Sequence, residues 1–397
     1  MHLGIDGTCL ANTRGFGRFA RSLVAAMAAA NPGHRMTLVL DAPSRGQFDI
    51  PAGVDVTYVE VSAGQAKAAS AKGRRGLGDM LAMSRAVAAG GFDVFFFPAS
   101  YTYFPVWGVG RLAVTLHDIL ALRRPELVFP TAAGKWAWRI KEHLAVAQAD
   151  LVVTVSQSAG RDIRRWFSLP AERVAVLTEG PAEAFADFLH RPVDRAAGDA
   201  VMARLGLTPD ARFVLYVGGF GPHKNIPRLL EAFAGVAASA DLADVRMVLV
   251  GDTGGAKDNF HSEYPRLAER AARADLAGRV VFAGFVPDAE LAHLYARCRF
   301  LAFPSLWEGF GLPAVEAMAC GAPVAASTAG SLPEVVGPAG VLFPPTSVPA
   351  MRDALLGLLR DPARRDALAA AAREQSRRFG WPLAAELAWR ALGGVGR

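Results

Sequence analysis

The sequence predicts an α/β protein built on two doubly wound, Rossmann-like parallel sheets. Three observations lead there. Short, nearly continuous apolar runs alternate with helical periodicity along the chain, the pattern of strands covered on both faces by crossover helices. The series of runs occurs twice, with a lapse from about Asp187 to Gly206. The 397 residues suffice for two domains of ordinary size.

In the first series M-H-L-G-I-D reads as the opening strand. G-R-F-A-R-S-L-V-A-A-M-A-A-A follows with apolar residues at helical spacing, the first helix. R-M-T-L-V-L, V-D-V-T-Y-V, F-D-V-F-F-F, L-A-V-T-L-H and L-V-V-T-V-S read as strands. Residues 62–79 are small, polar and basic, and read as a mobile surface loop. The second series runs F-V-L-Y-V-G, R-M-V-L-V-G-D, V-V-F-A-G-F, R-F-L-A-F-P-S, P-V-A-A-S and G-V-L-F. The expected domains are 1–190 and 206–375, joined near 187–205, with a helical tail over 376–397. Ligands of such sheets bind beyond the carboxyl ends of the strands, so the expected site is the cleft between the two domains.

Composition narrows the class. With 52% hydrophobic and 20% charged residues the chain reads as a soluble globular protein. No apolar run reaches a membrane span of about 18 residues. The opening M-H-L-G-I-D-G lacks the basic and apolar regions of a secretory signal. Cys9, Cys298 and Cys320 are odd in number and widely spaced, which fits neither a zinc site nor a disulfide framework. A cytoplasmic location is expected. The net charge of +6 suits phosphates or an anionic membrane surface, while no motif points to nucleic acid.

The chemistry concentrates in S-L-W-E-G-F-G-L-P-A-V-E-A-M-A-C-G-A-P-V, residues 305–324. Pro313 suits a first helical turn and Gly321 a helix exit, so a helix is expected from about Pro313 to Cys320. The amides of Phe310, Gly311 and Leu312 would then face outward at its positive end, a place for phosphate. Glu316, one turn in, suits the paired hydroxyls of a ribose. Glu308 is a second carboxylate, for another polyol. Phosphate, ribose and polyol together suggest a nucleotide-sugar.

This stretch resembles the segment of two glutamates separated by seven residues in the retaining glycosyltransferases of family 4, which have the GT-B fold. The resemblance covers nearly the whole chain and is strongest over residues 216–335. It implies two Rossmann-like domains facing each other across a cleft, the first holding the acceptor and the second the donor. It also implies that the tail crosses back onto the first domain.

Other motifs fit that frame. Y-V-G-G-F-G-P-H-K-N (216–225) is similar to the family segment whose lysine neutralises the donor diphosphate, here Lys224. Gly219 would let the backbone come close to the donor; many members carry arginine there and a second basic residue where this chain has His223, and a protonated His223 would supply part of that charge. R-G-F-G-R-F (14–19) looks like the family's glycine-rich loop over the donor phosphate and acceptor. Gly15 and Gly17 would permit close backbone approach and Arg18 would add charge. L-H-D-I (116–119) would place His117 beside the transferred sugar and Asp118 near the acceptor. F-A-G-F-V-P-D (282–288) is similar to the segment contacting the donor base, near Phe285 and Val286. Arg161, Arg164 and Arg165 with Trp166 and Phe167 form a basic-aromatic face of the kind that touches membranes or lipid-linked acceptors in the family. No D-x-D occurs, so no metal and no cofactor are expected.

The resemblance implies transfer of a hexose from a nucleotide diphosphate-sugar, GDP-mannose before UDP-glucose, to a glycan or lipid-linked acceptor in cell-surface polysaccharide synthesis. Glu308, His117 and Lys224 would be catalytic. Two other readings exist. With Ala20, the 14–20 loop reads as G-x-G-x-x-A, and Asp41 is near the spacing of a ribose-binding acid, as in a nicotinamide-dependent oxidoreductase. A non-catalytic nucleotide-sugar-binding protein would keep the same pocket without transfer.

Overall fold

The computed structural model describes residues 1–12, 15–64, 76–186, 188, 194–253 and 262–394. Arg14, most of the polar 62–79 stretch and part of the expected linker lie outside them. The chain divides into two units, Met1–Glu179 with Gly380–Arg397, and Gly180–Phe379.

The first unit holds seven strands: β1 (His2–Asp6), β2 (Arg35–Asp41), β3 (Val54–Val59), β4 (Val94–Phe97), β5 (Arg111–Thr115), β6 (Leu151–Thr154) and β7 (Val174–Val176). Their order is β3-β2-β1-β4-β5-β6-β7, all parallel. Central strands are apolar because both faces are covered: Val94–Phe97 is buried throughout, whereas the edge strand β3 alternates. Phe95 and Phe97 stack edge-on at 5.2 Å, fully buried, each side chain stabilising by about 1.5–3 kcal/mol. Strand β7 escapes the sequence reading because its three residues, V-A-V, are half-buried and too short to carry a period.

Helix Trp381–Gly394 belongs to this first unit. It packs on helix Gly15–Ala29, where the Trp389 indole N–H donates to the Met27 carbonyl at 3.0 Å. Trp381 also meets Phe19 edge-on at 6.0 Å.

The second unit holds β8 (Phe213–Val217), β9 (Arg246–Val250), β10 (Val280–Gly284), β11 (Phe300–Phe303), β12 (Val324–Ser327) and β13 (Gly340–Phe343). Their order is β10-β9-β8-β11-β12-β13, again all parallel. Each sheet therefore reverses its winding once, between β1 and β4 and between β8 and β11. The chain passes into this unit at Gly180, ahead of the expected 187–205 stretch. Arg195–Arg204 is a helix of the second unit. Asp194 caps it by accepting from the Ala197 amide at 2.9 Å, and its Asp199 pairs with Arg297 at 2.6 Å. Its polar composition silences a strand signal without making it a linker.

The three cysteines are buried and unbridged. Among the described residues no helix is long and apolar enough to cross a membrane.

Candidate functional site

The switch point of the second sheet gathers most of the singled-out residues. Beyond β8 the chain turns at Gly218 (φ +150) and Gly219, whose carbonyl accepts from the Tyr216 hydroxyl at 2.6 Å. A short turn, Pro222–Lys224, leads to Asn225 in the left-handed region (φ 62) and into helix Ile226–Ala237. Asn225 donates to the carbonyls of Pro304 and Pro345 at 2.9 and 2.8 Å. It thereby ties the loop after β8 to the one after β11. Lys224 reaches across the same gap: its Nζ lies 2.7 Å from Glu308 Oε1, which also accepts from Ser305 Oγ at 2.6 Å. The two side chains are only 17% and 12% exposed.

The loop carrying Glu308 is clasped from the far side. Ser331 donates through its amide to the Glu308 carbonyl at 3.2 Å and through its hydroxyl to the carbonyls of Glu308 (3.1 Å) and Phe310 (2.5 Å). Gly330 (φ +60) sits so close that a Cβ there would stand 2.4 Å from the Glu308 carbonyl oxygen. Gly311 (φ +104) turns the chain into helix Leu312–Ala319. Among the described residues, the amides of Phe310, Gly311 and Leu312 donate to no acceptor in the chain. They are orphan donors at a helix start, in the loop whose Glu308 is held by Lys224. The Phe310 ring is itself buried, edge-on to Phe379 at 5.6 Å.

Glu316 lies one turn further on and is 2% exposed. Its Oε2 accepts from the Tyr295 hydroxyl at 3.1 Å, and the Tyr295 ring packs on Phe185 at 5.6 Å. Phe285 and Val286 follow β10 at the sheet edge, two strand spacings or roughly 10 Å from β8. Val286 is buried, and the Phe285 ring is 81% exposed. Gly219 faces open space, with nothing within 4 Å of a Cβ built on it.

His223 is not a second cation. Burial holds its imidazole down to about 4, with Lys224 pushing the same way against Glu308. It is neutral near pH 7, contrary to the expectation that a protonated His223 adds charge.

In the first unit, the β1–β4 switch point is closed by Asp6, whose carboxylate accepts from the Thr8 and Thr102 hydroxyls at 2.6 and 2.5 Å. Gly17 is tight against its own loop: a Cβ there would stand 1.8 Å from the Asn12 carbonyl oxygen. Gly15 opens the helix with free space around it, and Arg18 is half-buried one turn in. His117, past the end of β5, is enclosed edge-on by Phe16 at 4.9 Å and Phe19 at 4.7 Å. Burial holds it down to about 3, and its buried Nε2 has no hydrogen-bond partner among the described residues. Asp118 turns to its own chain and accepts from the Leu120 amide at 2.8 Å.

Sequence reasoning missed Tyr295, Ser305, Ser331 and Phe16 as supports of these side chains. Ser305 and Phe16 lie inside the 305–324 and 14–19 stretches, but the support each of the four gives is recognised only by what it touches.

Residues 199–375 match the family described as Glycosyl transferases group 1, and residues 14–180 match the Glycosyl transferase 4-like domain. O-antigen chain mannosyltransferase B of Escherichia coli is 34% identical over 251 residues, covering 63% of this chain and 62% of that protein. D-inositol 3-phosphate glycosyltransferase of Rhodococcus opacus (strain B4) is 33% identical over 227 residues, covering 57% of this chain and 48% of that protein. The chain thus spans between about half and three fifths of these two curated relatives. Sucrose-phosphate synthase from Thermosynechococcus elongatus superposes with a TM-score of 0.76 at 22% identity, covering 100% of this chain and 99% of that one, a likeness of fold.

Proposed function

Because the chain belongs to the group 1 glycosyl transferases and has the GT-B fold, we propose that it transfers a hexose from a nucleotide diphosphate-sugar to a glycan or lipid-linked acceptor with retention at the anomeric carbon. GDP-mannose is the favoured donor, UDP-glucose the next. The similarity to an O-antigen chain mannosyltransferase supports mannose and a role in surface polysaccharide synthesis.

The observation that carries the reading is the set of orphan amides at Phe310, Gly311 and Leu312, in the loop whose Glu308 is held by Lys224. As the glycosidic bond breaks, negative charge builds on the leaving diphosphate. Fixed amide dipoles and an ammonium group already in place stabilise that charge without reorganising. Glu316, held by Tyr295, takes the ribose hydroxyls of the donor. Glu308 contacts the donor sugar and steadies positive charge at its ring. Phe285 and Val286 lie where a base would sit, apart from the phosphates. His117, neutral, is a hydrogen-bonding group for a sugar hydroxyl, with the acceptor nearby at Arg18 and Asp118. Attack from the leaving-group face, with the departing phosphate taking the acceptor proton, requires no nucleophile from the protein. The donor phosphates are held by amides and lysine, so transfer proceeds equally in chelator.

The match of residues 14–180 to the Glycosyl transferase 4-like domain favours the transferase over the oxidoreductase reading of the 14–20 loop.

Thermal unfolding with GDP, UDP, GDP-mannose, UDP-glucose, NAD and NADP tests the proposal. A ligand at a hundred times its dissociation constant stabilises by about 2.7 kcal/mol. A shift with one nucleoside diphosphate and its sugars is expected. A shift with NAD or NADP alone overturns the proposal. Binding of the donor without transfer or slow hydrolysis would leave a nucleotide-sugar-binding protein.

A further inference from the structure

Helix Ala132–Gln148 carries an acid at one of its three buried positions, Glu142, beside Ala145 and Val146. Glu142 is 2% exposed. Burial pushes its carboxyl above the ordinary range; Asp118 adds to that shift, while Lys141 and the Ser100 hydroxyl oppose it. An apolar residue at this position would anchor the helix at lower cost, because a carboxyl taken out of water must recover its lost hydration. Only part of it is recovered. Oε1 accepts from Ser100 Oγ at 2.7 Å, and Oε2 is buried with no hydrogen-bond partner among the described residues. What the acid gains for the fold is therefore its hold on Ser100.

Ser100 opens the short turn Ser100–Thr102, just beyond β4 at the switch point of the first sheet. Every residue of that turn is held. Glu142 takes the Ser100 hydroxyl. Lys141 Nζ, 3.5 Å from the Trp138 ring centre, donates to the Tyr101 carbonyl at 3.2 Å. Thr102 donates to Asp6 at 2.5 Å. Tyr101 is thus fixed through its backbone on both sides, and its hydroxyl donates to the Cys9 carbonyl at 3.4 Å. The Tyr101 ring lies 5.5 Å from that of Phe16, and Phe16 in turn closes on His117 at 4.9 Å. The enclosed imidazole keeps a buried Nε2 that has no partner among the described residues. Such a nitrogen takes up a water wherever one can reach it, so its state depends on the wall around it. We propose that Glu142 is a positioning residue: through Ser100 and Tyr101 it holds Phe16 against His117, keeping that imidazole dry and its free nitrogen open to a sugar hydroxyl. The contact with sugar rests on the transferase reading of the site; the enclosure of His117 does not.

The test compares Glu142→Leu, Ser100→Ala and Glu142→Gln with the parent, each as the full chain. Leucine fills the buried space and removes the acceptor; alanine at 100 removes the donor from the other side; glutamine keeps a carbonyl oxygen for Ser100. Modification by diethyl pyrocarbonate, followed by peptide mapping, reads the access of each imidazole. In the first two variants His117 should be modified at least about fivefold faster than in the parent, the mark of a local opening. His34 and His143, elsewhere in the same unit, should keep their parental rates. Transfer should lose about tenfold or more in kcat, with the KM for donor and the nucleotide-induced melting shift unchanged. Glu142→Gln should bring His117 back close to the parental rate. A parental rate at His117 in both Glu142→Leu and Ser100→Ala overturns the proposal. So does an acceleration shared by all three histidines, which would report a general loosening of the unit. Should Glu142→Leu fail to fold, Ser100→Ala with Glu142→Gln decides the matter. The labelling needs no substrate, so a parent that transfers no sugar would count against the transferase reading and leave this test intact.

Discussion

Lys224 and Glu308, 84 residues apart in sequence, form an ion pair of 2.7 Å across the point where the strand order of the second sheet reverses. Each comes from a loop just beyond its strand, and neither could hold its position as well alone. A diphosphate arriving at the neighbouring amides would compete with the carboxylate for the lysine, which couples donor binding to the orientation of Glu308.

Lys224→Ala should therefore do two things at once. Transfer should fall at least about a hundredfold, since a fixed charge on the leaving group is worth several kcal/mol. Stability should drop by about 1–3 kcal/mol, because a mostly buried carboxylate loses its cation. Steady-state kinetics and a denaturant melt read the two effects separately; parental turnover in this variant would exclude the phosphate role. Glu308→Gln should lower kcat more than it raises the KM for donor.

Tyr295→Phe tests the ribose assignment from a distance. The hydroxyl donates to Glu316 Oε2 at 3.1 Å, and losing one such bond costs about 1 kcal/mol. Calorimetry should find nucleoside diphosphate binding about fivefold weaker, with kcat nearly unchanged. Inorganic pyrophosphate, which has no ribose, should bind the variant and the parent alike. An equal loss for both would show that Tyr295 merely supports the loop.

Acid should destabilise this fold through two histidines. His117 and His223 titrate near 3 and near 4 when folded, against 6.5 for the free side chain, in both cases through burial. As pH falls, the unfolded chain takes up these protons first. The stability they contribute is complete above about pH 6.5 and declines below it until the folded values are reached, at about 1.4 kcal/mol per pH unit for each histidine. Melts between pH 7.5 and 4.5 should show that decline, and His223→Gln should make it shallower. A melting temperature constant over this range would contradict both burials.

Gly311→Ala should damage fold and site together. The residue sits at φ +104, and a Cβ would meet Leu332 Cδ2 at 2.8 Å. A stability loss of about 1–3 kcal/mol is expected, with nucleoside diphosphate binding weakened beyond what the altered melt explains. Gly78→Ala, outside the site with nothing within 4 Å of an added Cβ, is the control and should leave nucleotide binding unchanged.

Much of this molecule was legible in its sequence. Twelve of the thirteen strands announce themselves, central ones such as V-F-F-F and F-V-L-Y-V because a parallel strand covered on both faces is apolar throughout, the edge strand β3 by its alternation. Val174–Val176 did not, being short and half-buried. Of the residues singled out from the sequence, the structure brings Lys224 and Glu308 into contact and gives Gly311 the left-handed turn before Pro313 that its type suggested. What stayed hidden was support. Tyr295 looks like one more helix aromatic, and Ser331 like a loop serine, until the fold brings their hydroxyls to Glu316 and to the carbonyls of Glu308 and Phe310. Protonation was hidden for the same reason. His223 next to a lysine and a glutamate could have been charged or neutral, and enclosure by the surrounding chain decides it.

The grip of Ser331 and Gly330 on the 308–310 backbone bears on how quickly ligands come and go. A loop already fixed when the chain folds has no ordering step left for association to wait on. Nucleotides and nucleotide-sugars that share a diphosphate should then arrive at nearly equal rates, and discrimination among them should lie in how long each one stays.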